Sequence, residues 1–264
     1  MVTDQATEVL FNRPVAFRTR LMGLKCPEIA GTVRPGQFVM LRVRSGTDPL
    51  LRRPFSVSGV EGSVVRILYR VVGRGTQIME GTGIGEKLRI LGPLGRGFRP
   101  PGAEERPLLL AGGIGVAPLL FLARTLATGD APFLAGFGSG REVIDLHELG
   151  NPASRVSLAT DDGTRGHAGP VTDLLEDLLA RDALGGRGLV LYACGPMPML
   201  ERAARIALER GISCQVSMES FMACGLGACQ GCALEAAPGE GRAYHHACKD
   251  GPVFDAESLA WEGT

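Results

Sequence analysis

Short apolar runs separated by Gly and Pro fill the chain from about Val9 to Arg99. Gln37–Val43, Phe55–Ser58, Val64–Val72 and Lys87–Leu91 are examples, and their length and spacing predict antiparallel strands of a small barrel or sandwich. Pro35-Gly36 and Gly92-Pro93 read as turns between strands. From about Arg106 the pattern changes. Leu108–Ala111 predicts a buried parallel strand and Pro118–Ala127 the helix that follows it. Pro132–Gly136, Arg155–Thr160 and Gly188–Ala193 read as further strands, while Asp173–Ala180 and Met197–Arg210 carry helical periodicity. Alternating strands and helices predict an α/β layer. The last fifty or so residues show little regular pattern, and the chain has no internal repeat or low-complexity tract. The expected architecture is multi-domain: an N-terminal antiparallel β-barrel (1–103), an α/β parallel-sheet domain (104–216) and a small C-terminal segment (217–264).

A length of 264 residues fits two ordinary domains with an appendage, and 45% apolar content describes a folded globular chain. Lys+Arg and Asp+Glu both total 28, so there is no basic excess to attract nucleic acid. The most apolar stretch, Pro107–Ala123, is interrupted by Gly112, Gly113, Gly115 and Pro118 and is too short to span a bilayer. The N-terminus carries no basic and apolar leader pattern, and Cys26, Cys194 and Cys214 are scattered and odd in number, unlike a disulfide framework. A cytoplasmic protein without membrane or nucleic-acid partners is expected.

The C-terminal segment changes this picture. Cys224, Cys229 and Cys232 fall in one glycine-rich loop, and Cys248 follows. C-x4-C-x2-C…C is the spacing of a plant-type [2Fe–2S] site. Gly225, Gly227 and Gly231 allow tight turns that aim amides at sulfur. The competing chemistry is structural zinc, which usually takes its ligands from separated pairs. His245 and His246 adjoin Cys248 and invite a Rieske arrangement, but four cysteines already complete a ligand set.

Two further stretches suit nucleotide cofactors. Arg53-Pro54-Phe55-Ser56 offers a guanidinium for a pyrophosphate and a hydroxyl for a polar ring edge. Tyr69-Arg70-Val71-Val72-Gly73-Arg74-Gly75-Thr76 reads as a strand running into a glycine turn whose amides and Thr76 suit a second phosphate contact. Either stretch alone reads as well as a surface arginine or an ordinary hairpin; together, ahead of an α/β domain, they favour a flavin. Leu110–Pro118, with Gly112, Gly113 and Gly115, reads as strand, glycine turn and helix start, where backbone amides approach a pyrophosphate. Tyr192–Met199, with Cys194, Gly195 and Pro196, repeats that form, although Cys194 by itself also suits a small core residue. Thr160-Asp161-Asp162-Gly163-Thr164 places acids where they favour NAD over NADP; Ser139 and Arg141 argue the other way, and all of these also suit solvated loops.

Arg53-Pro54-Phe55-Ser56 resembles the Arg-x-x-Ser flavin motif of the ferredoxin–NADP reductase superfamily, with Phe55 where Tyr is common. Cys194-Gly195-Pro196 is similar to that superfamily's Cys-Gly-Pro-x-x-Met signature, which faces the nicotinamide. With Met222–Cys232 and the closing Cys248-Lys249-Asp250-Gly251-Pro252-Val253-Phe254, nearly the whole chain resembles the electron-transfer subunits of two-subunit, NAD-linked dihydroorotate dehydrogenases. The resemblance implies FAD at Arg53, Pro54, Phe55, Ser56, Leu68, Tyr69, Arg70, Val71, Gly75 and Thr76. It implies NAD as substrate at Gly112, Gly113, Gly115, Cys194, Gly195 and Pro196, and a [2Fe–2S] cluster on Cys224, Cys229, Cys232 and Cys248. It also implies a separate FMN-bearing catalytic subunit, usually two of each. A one-electron path needs the cluster close to the partner's flavin, so the neighbourhood of the cluster loop, around Lys249 and Asp250, is the expected docking face. Since the cofactors carry the chemistry, no side chain is expected as general acid or base. Related subunits of a sulfhydrogenase or of an NADH-dependent ferredoxin–NADP reductase share these segments. A zinc-binding, non-catalytic protein on a degenerate reductase fold is the alternative of another class.

Overall fold

The computed structural model describes residues 2–126, 131–150, 155–181, 184 and 188–261. β1 (Thr3–Ala16), β2 (Thr19–Lys25), β3 (Phe38–Arg42), β4 (Arg53–Glu61), β5 (Val64–Arg70) and β6 (Lys87–Leu94) close an antiparallel barrel in the order β1-β2-β5-β4-β3-β6. One short helix, α1 (Pro27–Ala30), follows β2, and another, α2 (Arg74–Glu80), follows β5. β1 closes the barrel by pairing Thr3–Glu8 with β6 and the rest of its length with β2. That first half is polar, so the apolar runs placed the start near Val9; only its backbone partners make it a strand.

β3 is apolar on both faces. Val39 and Leu41 point into the barrel core with Val57, Ile67 and Ile90, whereas Phe38 and Met40 point outward into a separate cluster with Leu94, Cys232 and Cys248. A strand buried on both sides reads as a continuous apolar run, and the C-terminal segment is what covers the outer side. Gly92-Pro93 is not a turn, as the sequence suggested, but part of β6. Phe38 faces Leu94 and Met40 faces Leu91, so β6 carries one extra residue there, a bulge that tolerates Gly and Pro. The glycine turn expected after Arg70 is the start of α2, in which Thr76 Oγ1 accepts from the amides of Val72 (3.0 Å) and Gly73 (3.1 Å).

The second layer begins with β7 (Arg106–Gly112), a 3₁₀ turn at Gly113–Gly115 and α3 (Val116–Thr125). The predicted helix end at Ala127 lies outside the described residues. β8 (Phe133–Phe137), β9 (Val156–Thr160), β10 (His167–Ala168), α4 (Val171–Ala180), β11 (Leu189–Cys194), α5 (Met197–Glu209) and β12 (Ser213–Ser217) follow. β13 (Ala233–Glu235) and β14 (Tyr244–His246) form a small hairpin, and β15 (Val253–Asp255) returns to the large sheet. Among the described residues that sheet has the order β10-β9-β8-β7-β11-β12-β15, parallel except for β15, which runs antiparallel to β12. The C-terminal strands are three residues long, too short to show a period, and β15 is recognisable only from its pairing with β12. α3 is buried from Val116 to Ala123, between the sheet and β4 of the barrel. Pro118 is tolerated in its first turn, where amides lack helical partners.

Candidate functional site

A cavity of about 410 Å³ opens between barrel, sheet and C-terminal segment. Its origin is a splay in the barrel. β4 pairs with β3 from Arg53 to Ser56, but its ladder with β5 begins only at Val57. Arg53, Pro54, Phe55 and Ser56 therefore have one unpaired edge, and they line the cavity opposite Leu68, Tyr69 and Arg70 of β5. Phe55 meets Tyr69 edge-on at 6.1 Å between ring centroids. The Tyr69 hydroxyl points away from the cavity, donating to Asn12 Oδ1 at 2.9 Å; burial pushes its pKa up to about 12.

Arg53 donates to the Leu51 carbonyl and lies along the first turn of α2. A Cβ on Gly75 would stand 2.5 Å from Arg53 Nε, which explains glycine there without any ligand contact. Thr76 lines the cavity, but its hydroxyl is already bonded within α2. Val71 is buried, its amide bonded to the Arg18 carbonyl, and lines neither the cavity nor the cleft described below.

From the α/β layer, Gly115 and Cys194 reach the same cavity. A Cβ on Gly115 would run into the Cys194 carbonyl oxygen, so this glycine lets the α3 turn cross the end of β11. Gly195 packs against Gly112 in the same crossing and lines neither space. Burial, with the Glu219 carboxylate nearby, pushes the Cys194 thiol far up, so it is neutral.

Met218, Glu219, Ser220 and Met222 also line the cavity, and the sequence reading missed all four. They follow β12, whose buried polar residues Gln215 and Ser217 conceal a strand. Gln215 is satisfied by the backbone amide of Arg99 at 2.8 Å, a partner distant in sequence. Glu219 meets solvent through the open cavity, yet protein crowds its other sides and raises its pKa above the usual carboxylate range.

A second cleft, about 510 Å³, lies at the carboxyl ends of β7, β8, β9 and β11. Here chain order reverses across the sheet, the place where open α/β sheets bind nucleotides. Gly112, Gly113 and Pro196 line it, with Arg70 reaching in from the barrel and bonding Glu142 at 2.8 Å. Asp161 lines it too, whereas Asp162 is turned back, accepting from the Thr164 amide and hydroxyl. Arg141 does not face the cleft: its guanidinium lies 4.2 Å from the Phe17 ring centroid. Ser139 is likewise absent from the lining.

The cysteine loop sits on the outer face of β3. Gly225 approaches so closely that a Cβ would stand 2.8 Å from Met40 Cγ. Cys232 and Cys248 sulfurs are 3.2 Å apart, and both residues are buried. Amides converge on sulfur: Leu226 on Cys224 (3.4 Å), Cys229 on Cys224 (3.5 Å) and Gly227 on Cys248 (3.1 Å). Burial alone would raise Cys224, but the amides of Leu226, Cys229 and Ala228, with a hydrogen bond from the Cys229 thiol, outweigh it and bring the thiol to about 6. Burial and the neighbouring Cys232 push Cys248 up to about 12. Four thiols, with backbone amides aimed at those of Cys224, Cys232 and Cys248, form a donor set that fits an iron–sulfur cluster. His245 is buried near the Ser258 carbonyl and against Phe254, and His246 lies near Asp250, so neither histidine bonds a cysteine sulfur among the described residues. Lys249 is exposed with its stem over Gly227, while Asp250 accepts from the His246 amide.

Residues 219–260 match the family described as the iron-sulfur cluster binding domain of dihydroorotate dehydrogenase B. The dihydroorotate dehydrogenase B (NAD(+)) electron transfer subunit of Geobacillus thermodenitrificans is 38% identical, with 97% of this chain and 98% of the relative covered. Its counterpart from Caldanaerobacter subterraneus is 38% identical over 85% of this chain and 86% of its own. This chain belongs to that family of electron transfer subunits. Its members are oxidoreductase subunits. A solved structure of an NADH-dependent reduced ferredoxin-NADP oxidoreductase, studied for flavin-based electron bifurcation, superposes with a TM-score of 0.84 at 25% identity, covering 97% of this chain and 90% of that one. The family's fold is thus the reductase fold plus the cysteine segment. Among the described residues no helix is long and apolar enough to cross a membrane.

Proposed function

We propose that this chain is the electron-transfer subunit of an NAD-dependent dihydroorotate dehydrogenase. The observation that carries the reading is contiguity: one cavity is walled by the barrel motif, the Cys194 turn and the segment leading into the four-cysteine loop. Held by Cys224, Cys229, Cys232 and Cys248, a [2Fe–2S] cluster would supply one-electron transfer from a partner's FMN, and FAD in the cavity would supply the exchange between single electrons and a hydride for NAD⁺.

The side chains bind and orient. Arg53, fixed by Leu51 and Gly75, presents its guanidinium to the pyrophosphate of FAD. Ser56 meets the polar edge of the flavin ring, and Pro54, Phe55, Leu68 and Tyr69 pack against it with apolar surface. Thr76 shapes the α2 turn instead of contacting phosphate directly. Gly112, Gly113 and Pro196 line the nicotinamide nucleotide's cleft, and Asp161 accepts from the ribose hydroxyls while opposing a 2′-phosphate. Cys194 and Gly115 wall the cavity where nicotinamide and flavin meet; the neutral thiol adds no charge there. Cys224, Cys229, Cys232 and Cys248 hold the cluster as thiolates. The partner, an FMN-bearing catalytic subunit in equal number, docks over the exposed Phe221 and Leu226 beside the loop.

The test mixes cofactor-loaded protein with that catalytic subunit and follows dihydroorotate-dependent NAD⁺ reduction. Turnover only in the mixture is expected. Intact flavin and cluster spectra without turnover would refute the partner and leave the cofactor sites standing. The second reading, a subunit of an NADH-dependent ferredoxin–NADP reductase, draws on the 0.84 superposition. NADH-dependent ferredoxin reduction without any response to dihydroorotate would favour it.

A further inference from the structure

The flavin cavity and the cysteine loop share a wall. Phe38 lines the cavity and is also a member of the buried apolar cluster that contains Cys232 and Cys248. Met222 lines the same cavity, packs against the same cluster and lies two residues before Cys224. Phe38 is 2% exposed and held tightly: a Cβ on Gly95 would stand 2.9 Å from its Cε1. It shares the outer face of β3 with Met40, on which Gly225 of the loop rests. Dense packing transmits displacement instead of absorbing it.

We infer that Phe38 and Met222 make the two cofactor sites thermodynamically coupled, so that filling either one orders the wall of the other. This rests on the cofactor assignment above, in which the cavity takes FAD and the loop takes the cluster. Without the cluster the four sulfurs lose their common anchor, and the 218–222 segment loses its fixed end. FAD then meets a wall it must order itself, at the expense of affinity. Linkage is reciprocal, so bound FAD must protect the cluster by the same factor. Phe38 and Met222 are positioning residues in this scheme.

The experiment titrates FAD, by fluorescence quenching, into the full chain carrying its cluster and into the same protein stripped anaerobically by an iron chelator. Cluster occupancy is followed by visible circular dichroism. Stripping is expected to weaken FAD binding about tenfold, within the range typical of site-to-site coupling. In Phe38→Leu and Met222→Ala, the ratio of the two affinities is expected to fall to twofold or less, while far-ultraviolet circular dichroism matches the parent. Phe38→Ala is the harsher version, and Phe38→Leu keeps the question answerable if it does not fold. Equal FAD affinity with and without the cluster in the parent protein would overturn the coupling. An unchanged tenfold ratio in both conservative variants would overturn the role of these side chains. If the parent takes up no FAD or no cluster at all, the cofactor assignment itself fails, and that is seen before any ratio is formed.

Discussion

Cys224 and Cys194 carry the same thiol into opposite surroundings. Cys224 sits in a partly open loop whose amides outweigh burial and lower it to about 6; Cys194 is enclosed at the end of β11, beside Glu219, and is pushed far up. The loop stabilises thiolate and so suits metal, while the strand end keeps the thiol neutral and suits packing near a cofactor. Cysteine identity is the same in both; full burial beside a carboxylate at Cys194, against hydrogen-bond donors aimed at a more open sulfur at Cys224, separates them.

The widest contrast comes from replacing one cysteine of each kind. Cys232→Ser is expected to lose nearly all cluster iron, and Cys194→Ser to keep iron and FAD close to parental levels, as read by iron, sulfide and flavin analysis. Zinc in place of iron in the parent protein would break the comparison outright.

The cavity offers the next test. Arg53→Ala should weaken FAD binding roughly 10- to 100-fold, the loss of a charge-assisted contact, with cluster iron retained on first loading. Gly115→Ala should destabilise the fold by about 1–3 kcal/mol in thermal denaturation, because the new methyl meets the Cys194 carbonyl. A silent Gly115→Ala would mean the α3 turn and β11 separate more readily than their packing suggests.

Smaller effects are expected at the acids. Asp161→Ser should narrow the preference for NADH over NADPH by a few-fold in steady-state diaphorase assays, whereas Asp162→Ser, turned back onto Thr164, should not. Glu219 has a raised pKa in the fold, so the folded state binds its proton more readily than the unfolded chain. Its ionisation therefore costs stability as pH rises through and above the ordinary carboxylate range, and that cost disappears below it. Glu219→Gln should raise Tm slightly at pH 8 and leave it unchanged near pH 4; a larger gain in acid would reverse the sign and exclude crowding as the cause.

Local chemistry was legible in the sequence. The cysteine spacing, the Arg53–Ser56 stretch and the glycine turns at Gly112–Gly115 and Gly195 each depend on neighbours within a few residues. The strands from Val64 and Lys87 and the helix from Met197 were legible too, because apolar periodicity reflects a single face. Phe38–Leu41 announced a strand, but not why it lacks alternation; that required the C-terminal segment folded over its outer face. Glu219 and Met222 could not be placed, since they follow a strand whose buried polar residues find partners as remote as Arg99. Gly75, Gly115 and Gly195 looked like phosphate-binding glycines, and the structure gives each a close packing contact within the protein.

Composition and spacing thus fixed which groups this protein owns: thiols that suit a cluster, a guanidinium that suits a pyrophosphate, and glycine turns that suit a dinucleotide. Tertiary structure alone decided which of them meet. The cavity exists because β4 leaves β5 before Val57, and it is walled by residues from 38 to 252. Such proximity comes from burying apolar surface and pairing strands across long separations, and no short stretch of sequence contains both sides of those contacts.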